Sequence, residues 1–80
     1  MNKVKDLSKR QKEILALYAF GLTGPQIAEK LFISIETVRN YLKAAKKKTG
    51  AKTTVQLVAW CVREEVILLD GKNVAYKTGK

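Results

Sequence analysis

A turn followed by one strongly basic helix, from Ile33 to Lys48, constrains the fold of this chain more than any other stretch. Apolar residues recur in it at three- and four-residue spacing, which keeps one helical face apolar: Ile35, Val38, Leu42 and Ala45. Polar and charged residues fall on the other face: Glu36, Arg39, Asn40, Lys43, Lys46 and Lys47. One face of this helix therefore requires a core, and the other face suits a polyanion.

The preceding segment, Thr23 to Phe32, supplies a helix against which the basic helix can pack. Apolar residues stand where two steeply crossing helices interlock: Ile27, Leu31, Ile33, Val38 and Tyr41. Ala28 is small where the second helix must approach the first. The two segments together predict a helix-turn-helix with the basic helix in the reading position.

Polar residues three positions apart mark where other helices begin. Three such pairs have the composition of capping boxes: Ser8 and Gln11, Thr23 and Gln26, and Thr53 and Gln56. Ser34 caps the basic helix, while Gly21 and Gly50 are suited to end the first and third helices. The predicted helices span about residues 9–20, 24–31, 35–48 and 54–66.

The two ends of the chain are less regular. Residues 1–6 are charged and lack periodicity, which predicts a flexible arm before a domain at 7–69. After the fourth helix, Asp70-Gly71 stands between apolar runs and indicates a hairpin. Equally, the fourth helix could continue to Leu69 and end at Gly71, leaving residues 70–80 as a tail.

Charge and composition narrow the function classes. Lys and Arg number 16 against 7 Asp and Glu, a net charge of +9, and six basic residues without an acid lie between Arg39 and Lys52. This favours a phosphate backbone over a membrane surface, because the basic helix lacks large apolar anchors. A single cysteine, Cys61, and no histidine leave no metal set, cofactor or catalytic group to predict. With no apolar span or signal region, we expect a cytoplasmic protein that is not an enzyme.

Several short motifs carry a family resemblance: Leu7–Leu15, Gly21–Thr23, Gln26–Ala28, Leu31, Ile33–Ser34, Thr37–Arg39 and Lys48–Ala51. Over about Leu7 to Leu69 the chain resembles the LuxR-type (GerE- or NarL-type) DNA-binding domain of bacterial transcription regulators. The resemblance implies an all-α, four-helix fold and a bacterial or phage origin. The chain departs from the family's usual residues at a few positions: Gln11, Gln26, Tyr41, Thr49 and Thr53-Thr54.

The resemblance implies roles for the basic helix. It places Arg39, Asn40 and Lys43 in the major groove, where Arg suits guanine, Asn suits adenine, and Lys suits guanine or phosphate. The predicted phosphate contacts are Thr23, Gln26, Glu36, Thr37, Lys46 and Lys47. For Thr23 and Gln26 the argument is the positive N-terminus of the second helix, and the alternative is a helix that is simply well capped.

The fourth helix has an apolar arc wider than one packing face needs, and Trp60 lies outside that arc. In the resembling family this helix pairs with its symmetry mate. The predicted dimer residues are Leu57, Trp60, Cys61 and Glu64. The alternative is that the N-terminal arm or the C-terminal tail folds over Trp60.

The leading hypothesis is a stand-alone transcription regulator that binds double-stranded DNA as a homodimer on an inverted repeat. The alternative is an adapter or antagonist that uses the fourth helix to bind another regulator. A third hypothesis, non-specific nucleic-acid packaging, requires only the charge and gives Asn40 no role.

Overall fold

The computed structural model describes residues 3–69 and 74–76, which form four helices and a two-stranded antiparallel ribbon. The elements are α1 (Lys9–Phe20), α2 (Gly24–Leu31), α3 (Ile35–Thr49), α4 (Thr54–Arg63), β1 (Ile67–Leu69) and β2 (Val74–Tyr76). The four helices confirm the predicted all-α class. Of the two alternatives for the end of the chain, the structure has the hairpin, with Leu68 opposite Ala75. The predicted Asp70-Gly71 turn lies outside the described residues.

Side-chain caps fix the start of every helix in this list. The capping boxes predicted for α1 and α2 both form, and Ser34 caps α3. In α4 the Thr53 hydroxyl accepts from the Gln56 backbone N–H at 3.0 Å, but the Gln56 side chain accepts from Lys52 instead of from Thr53. Each cap satisfies backbone donors that have no partner inside the helix and contributes about 1 kcal/mol.

Three helices end in the same way, with a left-handed residue followed by an apolar one. The left-handed residues are Gly21, Phe32 and Glu65. The next residue in each case donates its N–H to a carbonyl five positions back: Leu22 to Leu17, Ile33 to Ala28, and Val66 to Cys61. This is the Schellman arrangement, and it turns the chain back toward the core. It also ends α4 at Arg63, three residues before the predicted end.

One apolar core lies at the centre of the helices. Its largest fully buried side chains come from every part of the described chain: Val4, Ile14, Leu15, Ile27, Val38, Leu57, Cys61 and Ile67. Both strands of the ribbon lie against α1, and β1 also contacts α4. No helix in the described residues is long and apolar enough to cross a membrane.

The prediction of a flexible arm at residues 1–6 is wrong for Val4–Asp6, which form a 3₁₀ turn against α4. Val4 is fully buried, and Leu7 is 4% exposed. The side chain of Lys48 donates from Nζ to the Asp6 carbonyl at 3.1 Å and so ties this turn to the end of α3. The segment therefore docks through Val4 and the Lys48 bond, a combination that no periodicity in the sequence marks.

Candidate nucleic-acid interface

The polar residues of α3 form one continuous face. At about 100° per residue, six side chains fall within an arc of roughly 120°. They are Glu36, Arg39, Asn40, Lys43, Lys46 and Lys47. All are exposed except Lys46, which is half-buried. We call this set the reading face.

The core holds the reading face in position. On the opposite side of α3, Val38, Leu42 and Ala45 are buried, and Ile27 and Ala28 of α2 are buried with them. The predicted interlocking positions Leu31, Ile33 and Tyr41 are half-buried and pack against the same core. Because the apolar side of α3 packs into the core, the reading face points outward.

The structure places the three predicted base-contact residues together near the middle of α3. Arg39, Asn40 and Lys43 are all exposed, and the Arg39 side chain is 71% exposed. Lys43 lies one turn after Arg39 on the same side of the helix, and all three side chains fall within about 100° of one another around the helix axis. The three side chains present hydrogen-bond donors, and Asn40 adds an acceptor, which is the set that reads base edges in a major groove.

Glu36 belongs to the reading face, but it does not fit its predicted role as a phosphate contact. Its carboxylate is exposed, and Oε1 lies 3.8 Å from Nη1 of Arg39. An ionised carboxylate has no proton to donate and repels a phosphate. The phosphate assignment for Glu36 therefore stays a prediction without chemical support.

The N-terminus of α2 presents donors, because its cap uses only the acceptors of the capping residues. The Gln26 backbone N–H donates to Thr23 Oγ1 at 3.4 Å, and Gln26 Oε1 accepts from the Thr23 backbone N–H at 2.9 Å. Among the described residues, no hydrogen bond uses the Thr23 hydroxyl proton or the Gln26 side-chain NH₂, and both residues are exposed. An acid at position 26 would cap equally well but would present negative charge. The glutamine therefore suits an anion at this end of α2.

The start of α3 carries a second set of donors, which is a pair of hydroxyls. Ser34 Oγ accepts from the Thr37 backbone N–H at 3.0 Å and lies 2.8 Å from Thr37 Oγ1. One hydroxyl proton is used between the two side chains, which leaves the other to donate outward. Together with Lys46 and Lys47 near the other end of α3, this pair brackets the base-contact residues with donors suited to phosphate.

Sequence reasoning missed the structural role of Lys48. It lies on the side of α3 away from the reading face, and its bond to the Asp6 carbonyl connects α3 to the N-terminal turn. Its position on the helix indicated only that it faces away from the predicted DNA surface. The carbonyl partner lies 42 residues away in sequence, so no local pattern signals it.

The dimer assignment of Leu57 and Cys61 is wrong, because both side chains are fully buried within the protomer. Burial raises the pKa of the Cys61 thiol from 9.0 to about 11, against a smaller lowering by the charge of Lys12. Besides Trp60, the apolar residues that α4 leaves at least partly exposed are three valines and an alanine. Val55 is 80% exposed, Ala59 is exposed, and Val58 and Val62 are half-buried.

Trp60 is half-buried and packs against the core. It lines an open cleft of about 710 Å³ between the N-terminal turn and α4, together with Lys3, Lys5, Asp6, Thr49, Arg63 and Glu64. Lys5 Nζ lies 4.0 Å from Glu64 Oε1 across this cleft. The N-terminal segment therefore lies beside Trp60 across an open cleft, and the predicted role of Trp60 in a dimer stays a prediction.

Comparison with known proteins identifies the fold's relatives. Residues 5–61 match the luxR family of bacterial regulatory proteins. The oxygen regulatory protein NreC of Staphylococcus aureus, from strains JH9, JH1 and Mu3, is 40% identical to the chain over 63 residues. That alignment covers 79% of this chain and 29% of each NreC, so the chain spans less than a third of the length of these relatives. The chain belongs to the luxR family of bacterial regulatory proteins and has its helix-turn-helix DNA-binding fold.

Proposed function

We propose that the chain is a sequence-specific regulator of transcription that inserts α3 into the major groove of double-stranded DNA. The observation that carries this proposal is the reading face: six polar side chains in one arc, five of them exposed, on a helix whose other side is buried. Such a surface offers both base readout and phosphate contact. Charge-driven packaging needs no ordered set of donors of this kind.

Within this proposal, base contacts and phosphate contacts have different signatures. Arg39, Asn40 and Lys43 read bases. Thr23, Gln26, Thr37, Lys46 and Lys47 position the protein on phosphates. Loss of a base contact relaxes specificity at one position, whereas loss of a phosphate contact weakens binding to every sequence and flattens the salt dependence.

The test is fluorescence anisotropy on a duplex recovered from a random library, and on a scrambled duplex, at several salt concentrations. Arg39→Ala should cost about 1–3 kcal/mol on the recovered duplex alone. Lys46→Ala should weaken both duplexes similarly and reduce the salt slope by about one. Lys5→Ala is the matched control, because the Lys5 side chain is 74% exposed and lies beside Glu64 after α4, outside the helix-turn-helix. Equal losses on both duplexes for Arg39→Ala would refute direct readout by that residue.

The proposed active form is a homodimer that places two copies of α3 on an inverted repeat. With Leu57 and Cys61 inside the core, the contact surface we propose on α4 is its outward stripe: Val55, Val58, Ala59 and Val62. The i, i+3, i+4, i+7 spacing of these residues forms one helical ridge. Small apolar side chains on it allow two helices to approach closely.

Val55→Asp tests the dimer. Because Val55 is 80% exposed in the protomer, the substitution should leave folding unchanged. It should abolish cooperative binding to an inverted repeat while a single half-site is still bound, as measured by sedimentation and anisotropy. Phe20→Asp, at an apolar side chain that is 53% exposed on α1, is the control. Unchanged cooperativity in Val55→Asp would place the dimer contact elsewhere.

A second candidate function is an adapter that binds another regulator at the fourth helix. The observation in its favour is the open cleft beside Trp60, with cations and acids on its rim. Absence of DNA binding, combined with binding of a partner that is lost in Arg63→Glu, would favour this function over the first.

A further inference from the structure

Glu36 is the one acid on α3, a helix that otherwise carries one arginine and four lysines. It lies near the centre of the reading face, at about the same helical angle as Lys43 seven residues later. It also lies in the first turn of α3. Residues near the N-terminus of a recognition helix are those that contact base edges.

In the free protein the Glu36 carboxylate makes only a weak, solvent-exposed ion pair. The 3.8 Å pair with Arg39 is made by side chains that are 76% and 71% exposed, so water competes with it. DNA binding brings both groups into a groove from which much of that water is displaced. The carboxylate then requires a hydrogen-bond donor, because a charge without a partner is costly away from water.

We propose that Glu36 is a specificity-determining residue whose carboxylate accepts a hydrogen bond from the exocyclic amino group of a cytosine in the major groove. The inference rests on the proposed insertion of α3. Cytosine presents an N4 donor at the groove edge and no acceptor. Adenine presents its N6 donor beside the N7 acceptor, and guanine and thymine present acceptor atoms, so each of these three bases repels a carboxylate more than cytosine does. Arg39, 3.8 Å from Glu36 in the free protein, suits a guanine close to that cytosine.

The charge of Glu36 should also weaken binding to DNA sequences other than the target. A carboxylate in the reading face repels phosphates, so it weakens binding wherever no amino group faces it. Loss of this charge should therefore raise affinity for random DNA while lowering selectivity. This pairing of higher affinity with lower specificity distinguishes Glu36 from the basic residues around it, whose loss lowers affinity.

The experiment is parallel selection of duplexes from a random library with the full chain and with Glu36→Gln, Glu36→Ala and Glu29→Gln. Glu36→Gln should replace the cytosine preference by adenine at one position of each half-site, because an amide binds adenine N6 and N7. Glu36→Ala should lose preference there, with discrimination falling about tenfold or more. Glu29→Gln, which removes an exposed acid of α2, should leave the motif unchanged.

The outcomes separate this inference from the function on which it rests. A motif in the unsubstituted chain that survives both Glu36 substitutions overturns the role of Glu36 alone. Failure of the unsubstituted chain to enrich any motif overturns both proposals. Unchanged circular dichroism of the two Glu36 variants shows that they remain folded, which is expected for an exposed side chain.

Discussion

Replacement of Val4 by alanine tests how the N-terminal turn contributes to stability. Val4 is fully buried, and its turn lies against α4 and is tied to α3 through Lys48. The substitution removes two methyl groups from the core, which costs about 1.6 kcal/mol in transfer free energy. A partly relaxed cavity adds up to about 1 kcal/mol. The free energy of unfolding should therefore fall by roughly 2 kcal/mol, a large part of the ~4–12 kcal/mol expected for a domain of this size.

Urea unfolding followed by circular dichroism measures this loss. With a slope near 1 kcal/mol per molar urea for a small domain, the midpoint should fall by roughly 2 M. Lys5→Ala is the matched control in the same turn, because its side chain is 74% exposed and its 4.0 Å pair with Glu64 is a surface contact. That variant should shift the midpoint little. If Val4→Ala and Lys5→Ala unfold at the same urea concentration, the turn is not docked and the reasoning fails.

Two further predictions concern stability. Phe32 has a φ of 59° and is 95% exposed. Because glycine adopts this left-handed conformation without strain, Phe32→Gly should raise the free energy of unfolding by up to about 1 kcal/mol in the same urea assay. A lower free energy of unfolding would instead show that the ring has a packing role. For Cys61, the unfolded thiol ionises near pH 9.0 and the folded thiol only near pH 11, so stability should be unaffected below this window and fall as pH rises through it. Cys61→Ala should lack this component in pH-dependent thermal unfolding, and an identical pH profile in both proteins would contradict the assignment.

Local signals in the sequence were sufficient for most helix starts. A hydroxyl three residues before its partner defines a cap within four residues, so Ser8, Thr23 and Ser34 could be identified without knowledge of the rest of the fold. The spacing of apolar residues likewise separated the buried side of α3 from its reading face. These features depend on neighbours within one or two helical turns.

The end of α4 was harder to predict than the end of α2, although neither is marked by a glycine. Gly21 was recognisable, but Phe32 and Glu65 adopt the same left-handed conformation against their intrinsic preference. The signal present in the sequence was the apolar residue that follows each one, Ile33 and Val66, which the core buries wholly or in part. Its strength depends on tertiary packing, so α4 was predicted three residues too long.

The fourth helix shows a second limit of prediction from the sequence. Its wide apolar arc was correctly noted, but the sequence did not indicate which part of that arc the protomer itself would bury. Leu57 and Cys61 face inward because α1 and the ribbon pack against α4, whereas Val55 and Ala59 stay outside. A helix with apolar residues around much of its circumference requires the positions of its neighbours before an interface can be assigned.

The most direct test of sequence-specific reading by α3 is selection of duplexes from a random library with the unsubstituted chain near physiological salt. Under these conditions binding that depends only on charge weakens, while base readout persists. We expect an enriched inverted repeat whose half-sites are about one helical turn apart. Retention of duplexes with no enriched motif would contradict the account, because it would show that the reading face contributes charge and no base recognition.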